Sequence, residues 1–187
     1  GSNMLSVFYR FSFDEKDLRR NYVCGTAMWK YGSDGKVAMR LDPWTAYCGK
    51  WSKLWTEAGN TMGAISQGNT GINYPYMRYA DVLLMYAEAL LNGAAVGESG
   101  LTADDAVNIV RGRAQLQKIS GVTLQDVWDE RRAEFAMEED RFFDLVRTGQ
   151  AASVLAGKGY VEGKNNLFPI PANQRQLNPD LEQNPGY

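Results

Sequence analysis

The sequence predicts a mainly α-helical fold that also carries a β-hairpin and long irregular segments, and three observations lead there. Apolar residues recur at three-and-four spacing from Tyr76 to Leu91 and in two later stretches, the period of a helix with one buried face. Both later stretches open on a threonine followed three residues on by an aspartate, a helix-start signature. The first seventy residues instead are rich in Gly, Trp and Tyr, and residues 42–73 show no sustained period and many loop formers.

The elements follow in order. The run YVCGTAMWKYGSDGKVAMRL, Tyr22 to Leu41, has two strand-like stretches around Asp34-Gly35, a common hairpin turn pair, and reads as a β-hairpin. Residues 42–73 read as a long loop region, with or without a short helix in it. From Pro75, which a first helical turn tolerates, Tyr76, Tyr79, Ala80, Leu83, Leu84, Ala87, Leu90 and Leu91 form one apolar stripe, and Asn92-Gly93 stops it. Thr102 and Asp105 make a capping box ahead of Ala106, Val107, Ile109, Val110 and Ala114, a second helix expected to end near Gly121. The two helices should pack as an antiparallel pair. Thr123 and Asp126 open a long third helix, with Leu124, Val127, Trp128, Phe135, Phe142, Leu145 and Val146 on its buried face and Gly149 as its stop. Beyond it, four prolines, two of them preceded by Asn, make an irregular tail with Leu167, Phe168 and Ile170 as apolar anchors. The chain thus divides into hairpin and aromatic-rich loops (1–73), a helical core (74–149) and a tail packed on the helices (150–187), together one structural unit.

Composition narrows the function. With 187 residues, 44% of them hydrophobic, the chain can bury roughly 70% of its unfolded surface in a single core. A formal net charge of −2 supplies no positive excess for a phosphate backbone, so no nucleic-acid partner is expected. Histidine is absent, which removes the commonest general base and zinc ligand and any Ser–His or Cys–His nucleophile. Cys24 and Cys48 fit no tetrahedral metal pattern; they either pair or remain two buried thiols. No metal or cofactor is expected. No stretch has the length and apolarity of a membrane span, and the opening Gly1-Ser2 reads as a cleavage scar.

The densest chemistry lies in WDERRAEFAMEEDRFFDLVRTG, Trp128 to Gly149. Opposite charges fall three residues apart at Asp129/Arg132, Arg131/Glu134, Glu138/Arg141 and Asp144/Arg147, neighbours on a helix face. Glu130 and Glu134, one turn apart, have a spacing that would permit a glycosidase carboxylate pair. Arg131 and Arg132, however, favour ionised carboxylates, whereas one member of such a pair must stay protonated. Arg131, Arg132, Glu134, Glu138, Arg141 and Asp144 therefore read as a structural ion network. Arg78 and Arg113, set in apolar helix stretches, either clamp a carboxylate ligand or, the preferred reading, pair with third-helix acids such as Glu134 or Glu138.

YMRYADVLLMYAEALL, AVNIVRGRA, ERRAEFAMEEDRFFDLVRTG, LFPIP and the closing NPDLEQNPGY, in that order and spacing, resemble the C-terminal part of the SusD/RagB family. DEKDLRRNY and GKW resemble family segments more weakly. The resemblance implies a tetratricopeptide-like helix pair and a role as a non-enzymatic, cell-surface lipoprotein of the outer membrane. Such a protein would capture oligosaccharide, or peptide in the RagB branch, for a SusC-like TonB-dependent transporter. It also implies that this chain is a C-terminal fragment, the N-terminal lipid anchor lying outside it.

Within that implication, Trp44, Tyr47, Trp55 and Trp29 are the candidate carbohydrate-binding residues, because sugars stack their C–H faces on aromatic rings in irregular loops. The alternative for each is a ring filling a small core. Trp44 and Tyr47, beside Pro43, are the best candidates for exposure, whereas Trp51 and Trp128 are expected to be buried. A different class also stays open, a helical protein- or peptide-binding domain.

Overall fold

The structure, a computed structural model, describes residues 12–23, 27–31, 37–41, 50, 75–138 and 140–187. Cys24, Cys48, Trp51 and the Asp34-Gly35 turn lie outside them. The chain falls into two compact units, Gly1–Glu138 and Glu139–Tyr187.

The first unit opens with a short helix, α1 (Arg19–Val23), which occupies the start of the stretch expected to be strand. Strands β1 (Ala27–Tyr31) and β2 (Val37–Leu41) then pair antiparallel, Trp29 facing Met39 in register, so the expected hairpin is present.

Helix α2 (Tyr79–Leu91) begins four residues later than Pro75 suggested. Arg78, its N-cap, is extended (φ −122°, ψ 154°) and makes no side-chain cap, because a guanidinium has only donors; it binds Glu134 and Glu138 instead. Tyr76, expected on the buried stripe, is 97% exposed. The helix ends as Asn92-Gly93 predicted: Gly93 takes φ +94°, and the N–H groups of Gly93 and Ala94 bond the carbonyls of Leu90 and Ala89.

Helix α3 (Ala103–Arg113) and helix α4 (Leu124–Glu134) both start on the expected capping boxes, Thr102 with Asp105 and Thr123 with Asp126. The hydrogen bonds from the threonines hold both aspartates below their ordinary pKa. Helix α3 stops well short of Gly121: Gln115 adopts φ +59°, and the N–H groups of Gln115 and Leu116 bond the carbonyls of Gly112 and Arg111. The connection to α4 is tied down by Asn108, which exchanges two hydrogen bonds with the backbone of Ile119 (2.7 and 2.9 Å). Asp104 accepts from the N–H groups of Gly121 and Val122.

Helices α2, α3 and α4 enclose the core, in which Leu83, Leu84, Ala87, Ala106, Val107, Val110, Val122, Val127 and Phe135 are buried together. Ile109, expected on that face, is 44% exposed. Trp128, expected to be buried, is half-buried, and its Nε1–H donates to Glu88 at 3.3 Å.

The single long third helix expected to reach Gly149 is in fact two. Helix α4 ends at Glu134, and α5 (Arg141–Arg147) lies in the second unit. The break coincides with a tertiary contact: the Glu134 carbonyl, which a continuing helix would offer to the N–H of residue 138, instead accepts from Arg78 Nη2 (3.3 Å) and Lys50 Nζ. The Glu138 N–H turns back to the Phe135 carbonyl, and Met137 takes φ +67°.

In the second unit, α5 ends at Gly149 (φ +71°), the expected stop. Short helices α6 (Ala151–Val154) and α7 (Ala172–Leu177) follow. The tail is tied to residues 167–170 by side chains: Asn184 Nδ2 donates to the Phe168 carbonyl, Gln183 bonds both N–H and C=O of Ile170, and Tyr187 Oη donates to the Leu167 carbonyl.

Candidate functional site

The charged run of α4 builds a buried ion cluster at the base of the helical core. Glu134, 1% exposed, is its centre. Its Oε1 accepts from Arg78 Nη1 (2.7 Å) and Arg113 Nη2 (2.5 Å), and its Oε2 from Arg113 Nη2 (2.6 Å) and Arg19 Nη1 (3.2 Å). One turn earlier, Glu130 accepts from Arg19 Nη1 (2.6 Å) and Arg111 Nη1 (3.2 Å), while Asp17 receives Nε and Nη2 of the same Arg19. Glu138 takes a two-pronged contact from Arg78 (2.9 and 2.8 Å) and the ammonium of Lys50 (2.5 Å). Arg78 and Arg131 also flank the Phe135 ring, their guanidinium carbons 4.8 and 4.9 Å from its centre.

The electrostatics follow from this geometry. Burial pushes the Glu134 carboxyl up, but the hydrogen bond from Arg78 and the charges of Arg113, Arg78 and Arg19 outweigh it and hold the group below its ordinary value. Burial lowers Arg78 and Arg19, yet their carboxylate bonds leave both raised. For Lys50 burial prevails over Glu138, and its pKa is lowered. Glu134 is thus a fixed anion with its lone pairs occupied, and Glu130 is committed to two guanidinium groups. That arrangement ties the helices together, and Glu134 within it offers no proton for acid catalysis.

Arg78 and Arg113 take the preferred structural role, both binding Glu134. Arg131 reaches Asp81 on α2 at 2.6 Å, and Asp144 pairs with Arg147 at the expected three-residue spacing (2.8 Å). Arg132 is exposed on α4, and Arg141 is half-buried at the start of α5. Asp17, Arg19, Lys50 and Arg111 were not among the expected members of the network; Arg19 and Glu130, for example, are 111 residues apart. The one sequence signal was the charged DEKDLRR stretch. Of the candidate sugar-binding residues, Trp29 sits in β1, and Trp44, Tyr47 and Trp55 lie outside the described residues. Among the described residues, no group of three or more Cys, Asp or Glu could hold a metal ion, and no helix is long and apolar enough to cross a membrane.

A helix pair backed by a third helix, with a buried arginine–glutamate cluster at its base, defines a mainly helical domain with a tetratricopeptide-like pair. The chain belongs to the SusD family, whose sequence model matches residues 3–187. It is 33% identical over 125 residues to the starch-binding protein SusD of Bacteroides thetaiotaomicron, covering 60% of this chain and 21% of that protein. A laminarin-binding SusD-like protein of known structure is 41% identical, with a TM-score of 0.51 over 60% of this chain and 23% of its own. The surface glycan-binding protein A of B. thetaiotaomicron is 26% identical, with a TM-score of 0.66 over 95% of this chain and 40% of its own. The chain therefore spans well under half the length of these relatives.

Proposed function

We propose that this chain is part of a cell-surface, outer-membrane protein that captures oligosaccharides and delivers them to a SusC-like TonB-dependent transporter, binding its ligand without transforming it. The observation that carries the reading is the family match over residues 3–187, together with relatives named for starch, laminarin and surface glycan binding. Trp44, Tyr47, Trp55 and Trp29 are the residues proposed to stack on sugar. An N-terminal lipid anchor would hold the protein at the surface.

Calorimetric titration with a panel of oligosaccharides tests this, repeated with Trp44→Ala and Tyr47→Ala. Loss of a stacking ring should weaken binding at least about tenfold, ~1.4 kcal/mol. Binding unchanged by both substitutions would remove these rings from the site. A second reading, a helical protein- or peptide-binding domain of the RagB type, is favoured by one observation: Tyr79, Val82 and Met85 form an exposed apolar row along α2. Peptide binding without any glycan binding would establish it.

A further inference from the structure

The second unit contains a cleft of about 270 Å³, and none of the described residues that line it belongs to the ion cluster. Its wall is aromatic: the Phe142 ring centre lies 6.4 Å from that of Tyr160 and 6.3 Å from that of Phe168. Phe168 is 67% exposed although it belongs to this cluster, and Leu167 and Tyr187 beside it are also exposed. Exposed apolar side chains gathered around a cleft, rather than scattered singly, are a surface that a ligand ring can cover.

Polar groups complete the cleft. Lys158 and Asn165 line it, and Asn165 Oδ1 is occupied by the Val161 N–H (2.7 Å), which leaves its amide nitrogen as the donor. The frame is held in advance of any ligand, because Asn184 and Tyr187 bond the carbonyls of Phe168 and Leu167 at 2.6 and 2.9 Å. The Lys164 ammonium sits 4.7 Å above the Tyr187 ring. A site held in this way loses little freedom when it binds.

An aromatic wall with a few rim donors matches a ring that is apolar on its faces and hydroxylated at its edge; a purely aliphatic ligand would leave the donors unpaired. We propose that this cleft is a second carbohydrate subsite, taking one pyranose ring of an oligosaccharide against Phe168 and Tyr160, with Lys158 and Asn165 donating to its hydroxyls. The proposal rests on the glycan-binding reading above.

Amide-resolved NMR of the whole chain, titrated with laminarihexaose and with maltohexaose, tests it. The Gly159 and Asn165 amides should shift saturably with at least one of the two. Phe168→Ala should weaken that response tenfold or more with the melting midpoint little changed, since the ring is largely exposed. Lys158→Ala, at an exposed position, should weaken it several-fold and provides the check should Phe168→Ala fail to fold. Glycan binding that moves other amides but leaves Gly159 and Asn165 unmoved would overturn the subsite and leave the glycan reading intact. No response to either hexasaccharide anywhere in the chain would also overturn the subsite, the glycan reading being decided by the wider oligosaccharide panel.

Discussion

Replacing Glu134 by Gln changes one charge and almost no volume, at the point where three guanidinium groups converge. The amide would turn its NH2 toward donors on one side of the site, so Arg19, Arg78 and Arg113 could not all keep their acceptors. Breaking a buried pair typically costs about 3–5 kcal/mol. The Arg113 side chain is 61% exposed and can turn to water, whereas those of Arg19 and Arg78 are 8% and 24% exposed and cannot do so fully. The lower figure, about 3 kcal/mol, is therefore expected, a fall in melting midpoint of about 6–12 °C for a chain of this size. The pH dependence supplies a second readout. The folded pKa of Glu134 lies below its unfolded value, so its contribution is fully present above about pH 4.3 and is lost as pH falls through the folded value. The Gln variant should lack that part of the acid dependence. Urea unfolding at pH 7 and at a series of pH values below 5 would measure both. A loss under about 1 kcal/mol that shrinks further in salt would refute the reasoning, because that is how a solvated surface pair behaves.

Two further substitutions test the helix ends. Thr123→Ala removes the hydroxyl that caps Asp126 N–H at the start of α4 and should cost about 1 kcal/mol in denaturant unfolding, with the slope unchanged. Gln115→Gly should raise stability by about 0.5–1 kcal/mol in the same assay, because Gln115 is exposed and sits at φ +59°, where only glycine is free of strain.

Those same helix ends show how far the sequence was readable. Capping boxes are local: Thr102/Asp105 and Thr123/Asp126 declare two helix starts within four residues each, and both are present. Gly93 and Gly149 likewise declare their helix stops. Gln115 closes α3 with the same pair of backbone bonds as Gly93 closes α2, but glutamine carries no such signal, so the helix read too long. The break after Glu134 was invisible for a different reason. The apolar spacing continues through Phe142, Leu145 and Val146, and the helix ends where a carbonyl is claimed by Arg78 and Lys50, distant in sequence. The cluster was half legible for the same cause: a run of charges shows that ion pairs form, while their partners depend on which helices meet. The Phe142–Tyr160–Phe168 cleft had only its apolar anchors to announce it, because its shape comes from side chains of the tail bonding carbonyls.

The ion cluster also bears on how the chain comes to be folded. Its arginines at 19, 78, 111 and 113 leave the ribosome before the glutamates at 130, 134 and 138 that bind them. Arg19 is synthesised 115 residues ahead of Glu134, about 6–23 s at ordinary elongation rates. During that interval α2 and α3 can form and touch, but burying their cationic ends would leave bare charges in a dry site. These charges cannot be buried as pairs until the helix bearing the acids has been made.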